Sequence, residues 1–283
     1  MARRAIWPLL LAGAISGSGC VPASWGAGAL LYPSRRPVTM ARPAGARDVE
    51  FRSDGLTLRG WKFAAKTPRR GTVVFLHGIS DNRMSGVHVG ERLTARGFDV
   101  LTYDGRAHGA SDGRMCTYGF HEKRDLGRAI AGLDAPVLVM GTSLGAAVAM
   151  QAAADDRRIA AVIAVAVFSD LETIATDRAP FFFTARSIGA AIEAAGQAAA
   201  FNPDEVSPLR AAARITVPVM LIHGAQDRET SPDHSRRVYA ALKARRSLVI
   251  VPQRGHNDSL TPEVWTRIEE WMDQTTAAAA EER

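Results

Sequence analysis

The chain has 283 residues, 47% hydrophobic and 23% charged, an ordinary globular composition that excludes a disordered or fibrous protein. That length suits one large domain or two small ones. Two cysteines, Cys20 and Cys116, cannot make a disulfide framework, and no His/Cys cluster suggests a metal. The formal charge of +6 comes from scattered, mostly arginine side chains with no aromatic–basic cluster, which argues against a nucleic-acid partner.

In chain order, Met1-Ala2-Arg3-Arg4 is a positive start, and an apolar run of eleven residues follows, from Ala5 to Ile15. Such a run is too short to span a bilayer comfortably but suits the apolar part of a signal peptide. Ser16-Gly17-Ser18-Gly19-Cys20 then brings small residues up to a cysteine, and resembles a bacterial lipoprotein signal in which the cysteine is lipidated after cleavage. It departs from that pattern at Gly17, where a leucine-like residue is usual, and cleavage after Ala23 or Ala29 is the alternative. The expectation is export to the periplasm or cell envelope, with residues 1–20 as leader and Cys20 as a route to membrane attachment. Residues 21–47, with several Pro and Gly and no periodicity, read as a linker.

Residues 49–63 alternate on both sides of Ser53-Asp54-Gly55, a β-hairpin signal. Strands are then expected at 72–76, 98–103, 137–140, 159–168, 217–222 and 247–251, with helices at 84–96 and 120–133 and after residue 143. Ser231-Pro232 and Thr261-Pro262 each open a helix with an N-cap followed by proline. Apolar strands separated by helices mean an α/β architecture: a mostly parallel sheet covered on both faces, with the antiparallel hairpin at its start. Residues 48–276 form this domain, an insertion at 171–214 is expected to cap it, and 277–283 are expected to be a disordered tail.

Ligands of such sheets bind beyond the carboxyl ends of the strands, so the residues there matter most. Gly141-Thr142-Ser143-Leu144-Gly145 sits between an apolar strand and an Ala-rich helix, the G-x-S-x-G pattern of a sharp turn that presents a nucleophilic serine. Other strand ends carry His77-Gly78-Ile79, a polar run from Asp104 to Gly113, His223-Gly224-Ala225-Gln226-Asp227 and Gly255-His256-Asn257-Asp258. Serine needs a base to take its proton, and the base needs a carboxylate to fix its tautomer; Ser143, Asp227 and His256 supply these in that order.

These motifs together resemble the α/β-hydrolase superfamily, nearest its esterase, monoacylglycerol-lipase-like and serine-peptidase-like branch, over about residues 48–274. One departure is Ala107, where the family run often has glycine. The resemblance implies Ser143 as nucleophile, His256 as general base and acid, Asp227 as orienting acid, and the backbone N–H groups of Ile79 and Leu144 as oxyanion hole. It implies no metal and no organic cofactor. The expected activity is carboxylic-ester cleavage through an acyl-enzyme. Thioesterase, acyltransferase and peptidase chemistry use the same parts, and a catalytically silent envelope binding protein is the rival from another class.

Asp170, just past the sixth expected strand, rivals Asp227 as the acid. His77, His108 and His223 read as loop-tying groups, His88, His121 and His234 as surface or helix residues, and Cys116 as a small packing residue. Phe181-Phe182-Phe183 cannot all point into one core, so at least one should face the cleft, the cap or a membrane. The expectation is an apolar acyl pocket above Ser143, with these three as substrate contacts.

Overall fold

The computed structural model describes residues 22–281, with side chains through residue 277. The leader at 1–20, including Cys20, lies outside the described residues. Eight strands form one sheet: β1 Ala46–Ser53, β2 Leu56–Phe63, β3 Gly71–Leu76, β4 Phe98–Tyr103, β5 Val137–Thr142, β6 Ile159–Val165, β7 Val219–Gly224 and β8 Arg246–Val251. Their spatial order is β1-β2-β4-β3-β5-β6-β7-β8. The first two strands pair antiparallel, β2 lies antiparallel to β4, and every later pair is parallel.

The central strands are apolar on both faces because both faces are covered. Val74, Leu76 and Val139 join a core with the helix Leu144–Ala153 (α4), whose ten residues are all buried. Val73, Phe75, Leu138 and Met140 point the other way, toward Trp265, Ile268 and Trp271 of the C-terminal helix Pro262–Glu281 (α9). Alternation along each strand sends neighbouring side chains into separate cores.

Several expected boundaries move. The stretch read as a linker contains a helix, α1 Ala23–Leu31, in which Ala27 and Leu31 are buried. It packs against α6 Ala185–Ala198 so closely that a Cβ on Gly26 would sit 2.4 Å from the Cβ of Ala191. The helix expected at 84–96 is a short 3-10 turn, Arg83–Gly86, followed by α2 Val87–Thr94. The one expected at 120–133 is α3 Glu122–Ala129. The last helix continues to Glu281, through most of the residues expected to be a disordered tail. The insertion folds as α5 Leu171–Arg178, α6, a 3-10 turn Pro203–Glu205 and α7 Pro208–Ala212. The helix Pro232–Ala241 (α8) follows β7.

The loop after β4 is held by buried charge. Asp104, with no exposed surface, accepts from the backbone N–H of Arg83 at 2.7 Å and of Ala110 at 2.8 Å. Arg106 donates to both carboxylate oxygens of Asp125 at 2.6 Å. His108 is almost fully buried and its Nδ1 meets the carbonyl of Arg106 at 2.8 Å, so this nitrogen carries the proton. Its Nε2 has no partner among the described residues. Burial, reinforced by neighbouring His77, pushes the His108 ring down to about 4.

Two stability outcomes follow from these contacts. A Cβ on Gly145 would lie 2.2 Å from the carbonyl oxygen of Leu76, whereas one on Gly189, exposed within α6, meets nothing within 4 Å. Gly145→Ala should therefore cost about 1–3 kcal/mol through overpacking, and Gly189→Ala should add about 0.5–1 kcal/mol through helix entropy. Urea unfolding of the two variants measures both signs. Second, His108 takes a proton near 6.5 in the unfolded chain but only near 4 when folded. Between those values the unfolded chain binds the extra proton, so this contribution is full above 6.5 and lost as pH falls toward 4. The window corresponds to about 3 kcal/mol. Melting temperatures across that range should fall less steeply for His108→Gln than for the parent chain.

Candidate active site

At the end of β5 the chain reverses into α4 with almost no clearance. A Cβ on Gly141 would be 2.3 Å from the carbonyl carbon and oxygen of Gly145. Between them Ser143 has φ 50° and ψ −110°, left-handed backbone for a residue with a side chain. Strain of this kind costs about 1–3 kcal/mol and persists only where surroundings over-determine it. Here they do: Ser143 N–H donates to the carbonyl of Val165 at 2.8 Å, and its own carbonyl accepts from Ala147 at 3.1 Å. The side chain is left at the helix N-terminus, where unpaired N–H groups favour negative charge. Ser143 is 8% exposed, and among the described residues no hydrogen bond reaches its hydroxyl.

Beside it runs the loop after β3. A Cβ on Gly78 would stand 3.7 Å from the Cβ of Ser143. His77 holds this loop: its Nε2 accepts from the N–H of Gly105 at 2.9 Å, so Nδ1 carries the proton and donates to the Gly78 carbonyl at 2.7 Å. Burial lowers its basicity, which favours this neutral form. Among the described residues the N–H groups of Ile79 and Leu144 donate to no protein acceptor. Behind α4 lies a cavity of about 30 Å³, lined by His77, Arg106, His108, Asp125 and Leu144 among others. Its size fits a water molecule, not an acyl chain.

Across the sheet edge, the acid loop follows β7 and the histidine loop follows β8. They touch backbone to backbone: a Cβ on Gly224 would be 2.2 Å from the carbonyl oxygen of Gly255. Gln226 N–H donates to the Arg254 carbonyl at 2.8 Å. This lacing brings His256 Nδ1 to 2.6 Å from Asp227 Oδ2 and leaves Nε2 as the other ring nitrogen. Asp227 Oδ1 accepts from the N–H groups of Glu229 and Thr230, each at 2.9 Å. His223 Nε2 lies 3.1 Å from Asp227 Oδ2 and 2.9 Å from the Thr230 carbonyl, so it carries a proton. Its Nδ1 meets the Ser235 hydroxyl at 2.6 Å. Burial alone would raise the Asp227 carboxyl. Hydrogen bonds from His223 and His256, the charge of His256 and the Thr230 N–H outweigh it and hold the group well below the usual carboxylate range.

Asp170 does other work. It caps α5, its Oδ1 accepting from Thr173 N–H at 2.8 Å and its Oδ2 from the Ser169 hydroxyl at 2.6 Å. Of the two carboxylates, only Asp227 engages His256. His234, expected at the surface or on a helix face, is on α8 but buried: Nδ1 accepts from Ser169 N–H at 3.0 Å, and Nε2 lies 2.9 Å from Asp177. His121 reaches the Ala199 carbonyl at 3.0 Å, and His88 is exposed with its ring against Trp265. Cys116 is fully buried, which pushes its thiol well up.

The phenylalanine triplet departs from expectation. Phe181 is 99% exposed and Phe182 60%, and the aromatic contacts of the three are with one another, at centroid distances of 5.5 and 5.2 Å. They do not wall an enclosed acyl pocket, because the turn at 180–183 projects from the surface between α5 and α6. Three consecutive apolar residues signalled that something must cover them, but carried no information on which way the turn would face.

A model of the alpha/beta hydrolase family matches residues 73–268, from within β3 to within α9. An uncharacterized protein of Mycobacterium tuberculosis is 28% identical over 262 residues, covering 89% of this chain and 88% of its own. Among solved structures, an esterase of Pyrococcus furiosus aligns with a TM-score of 0.70 at 22% identity, covering 87% of this chain and 98% of its own. Est1E of Butyrivibrio proteoclasticus, solved with ferulic acid bound, aligns with a TM-score of 0.68 at 22% identity, covering 81% and 99%. The sheet order, the strained serine turn and the family match across most of the sheet converge: this chain belongs to the alpha/beta hydrolase family.

Proposed function

We propose that the protein is a serine hydrolase that cleaves carboxylic esters through an acyl-enzyme. The observation that carries this reading is the backbone of Ser143: a positive φ held at the serine between β5 and α4, beside the Ile79 and Leu144 N–H groups that meet no acceptor among the described residues, is what a nucleophile beside an oxyanion hole requires. The fold neighbour from Pyrococcus furiosus, an esterase, supports ester as the bond class.

In this mechanism Ser143 Oγ attacks the ester carbonyl carbon while its proton passes to His256 Nε2. Asp227 holds the Nδ1–H and stabilises the imidazolium that forms. The N–H groups of Ile79 and Leu144 stabilise the carbonyl oxygen as it gains charge. As the tetrahedral species collapses, the C–O bond to the alcohol breaks and His256 returns its proton to the leaving oxygen. Water then attacks the acyl-enzyme with His256 as base, releasing the acid and restoring Ser143. The His223 and Thr230 contacts keep Asp227 ionised and fixed, which holds His256 in one tautomer.

Ser143→Ala should lower ester turnover by roughly 10⁴–10⁶-fold while leaving the fold intact, and should end covalent labelling by a fluorophosphonate probe. Labelling that persists in this variant would refute the nucleophile. For the acid, Asp227→Asn should reduce kcat by about 10⁴-fold by misorienting the imidazole, by analogy with the corresponding change in a serine-protease triad. Asp170→Asn should change turnover little, since asparagine caps a helix as well as aspartate. Assaying the pair side by side decides between them, and a crippled Asp170→Asn reverses the assignment.

A further inference from the structure

The turn at 179–184 exposes more apolar ring than a soluble surface needs. Phe181 and Phe182 are 99% and 60% exposed, and they stack edge-on as one cluster with Phe183. Patches of this kind mark interaction sites. We propose that this turn, together with Trp25, is a docking surface for an anionic phospholipid bilayer.

Four observations favour a bilayer as the occupant. Trp25 is 69% exposed on α1, a helix without a single charged residue. Gly26, next to it, meets α6 at Ala191, six residues from the Ala185 that starts the helix. That separation is about 9 Å along the helix axis, so the α1 contact falls within the first two turns of α6, the helix that the phenylalanine turn precedes. Arg186, exposed in the first turn of α6, follows the rings by three residues and forms no ion pair among the described residues. Arg178, half-buried, donates to the Glu229 carbonyl and the Thr230 hydroxyl, each at 3.0 Å, and so anchors the end of α5. Aromatic rings bordered by arginine suit the headgroup boundary, where rings enter the acyl layer and cations meet anionic lipid. Finally, α1 begins three residues after Cys20, the position that the sequence offers as a route to membrane attachment.

Docking is separable from catalysis and is read by binding alone. The full chain is mixed with vesicles of phosphatidylethanolamine and phosphatidylglycerol, and with vesicles of phosphatidylcholine only. Co-sedimentation gives affinity, and hydrogen exchange gives the protection of backbone amides at 181–187. Phe181→Ser/Phe182→Ser retains residues 1–21, so any drop reports the rings and not the leader. The double variant should lose about tenfold in affinity for the anionic vesicles and keep the parent melting temperature. The parent amides should gain protection with anionic vesicles and less with phosphatidylcholine. Unchanged affinity in the variant, or no protection in the parent, overturns the proposal. A parent chain that self-associates in solution while the variant does not also overturns it, and assigns the rings to a second copy.

Discussion

At Gly145 three backbone segments meet with no room for a single side-chain carbon. The carbonyl of Leu76 closes on it from β3, and the turn at Gly141 closes from β5. Everything at the catalytic edge is measured from that point. It sets how sharply the chain leaves the sheet, and therefore the left-handed backbone of Ser143. It also sets how near the loop carrying Ile79 approaches that serine. The family resemblance lies in a steric condition before it lies in any reactive group.

The second half of the site is governed by charge instead of contact. Asp227 is buried yet held ionised because its oxygens face two ring nitrogens and two backbone N–H groups. Removing a carboxylate from water is costly unless such donors replace the lost hydration. His223 serves this purpose: its tautomer is fixed by Ser235 and Thr230, so it can offer a proton to Asp227 without competing for the serine. The acid and histidine loops are laced by backbone bonds at Gly224–Gly255, which keeps the pair aligned with little help from side chains. Geometry at one end of the site and electrostatics at the other share the work of preorganisation.

Much of this was legible in the residues. The strand Phe98–Tyr103 and both proline-opened helices fall where expected, because apolar runs and N-caps are local signals. The serine turn was legible because glycine spacing reports backbone crowding. Contacts between distant segments were not. Only the lacing of two loops separates Asp227 from Asp170, and only packing turns His234 inward to Ser169. Helix α1 was hidden because Pro and Gly without periodicity read as linker, although a glycine is what lets position 26 approach Ala191. The direction of the phenylalanine turn depends on where α5 ends, and Arg178 fixes that through Glu229 and Thr230.

Helix α1 also bears on how the chain can mature. Two alanines, Ala23 and Ala29, suit a leader peptidase by sequence, but Ala29 lies inside the helix, between the buried Ala27 and Leu31. A chain cut there would begin after Ala27 and Gly26 had been lost, and would leave the Ala191 face of α6 uncovered. Leu31 would remain without its helix, although its carbonyl receives the N–H of Cys116. A cut after Ala29 would thus sever a helix on which the folded domain depends, whereas a chain that keeps α1 whole keeps the Gly26–Ala191 and Leu31–Cys116 contacts.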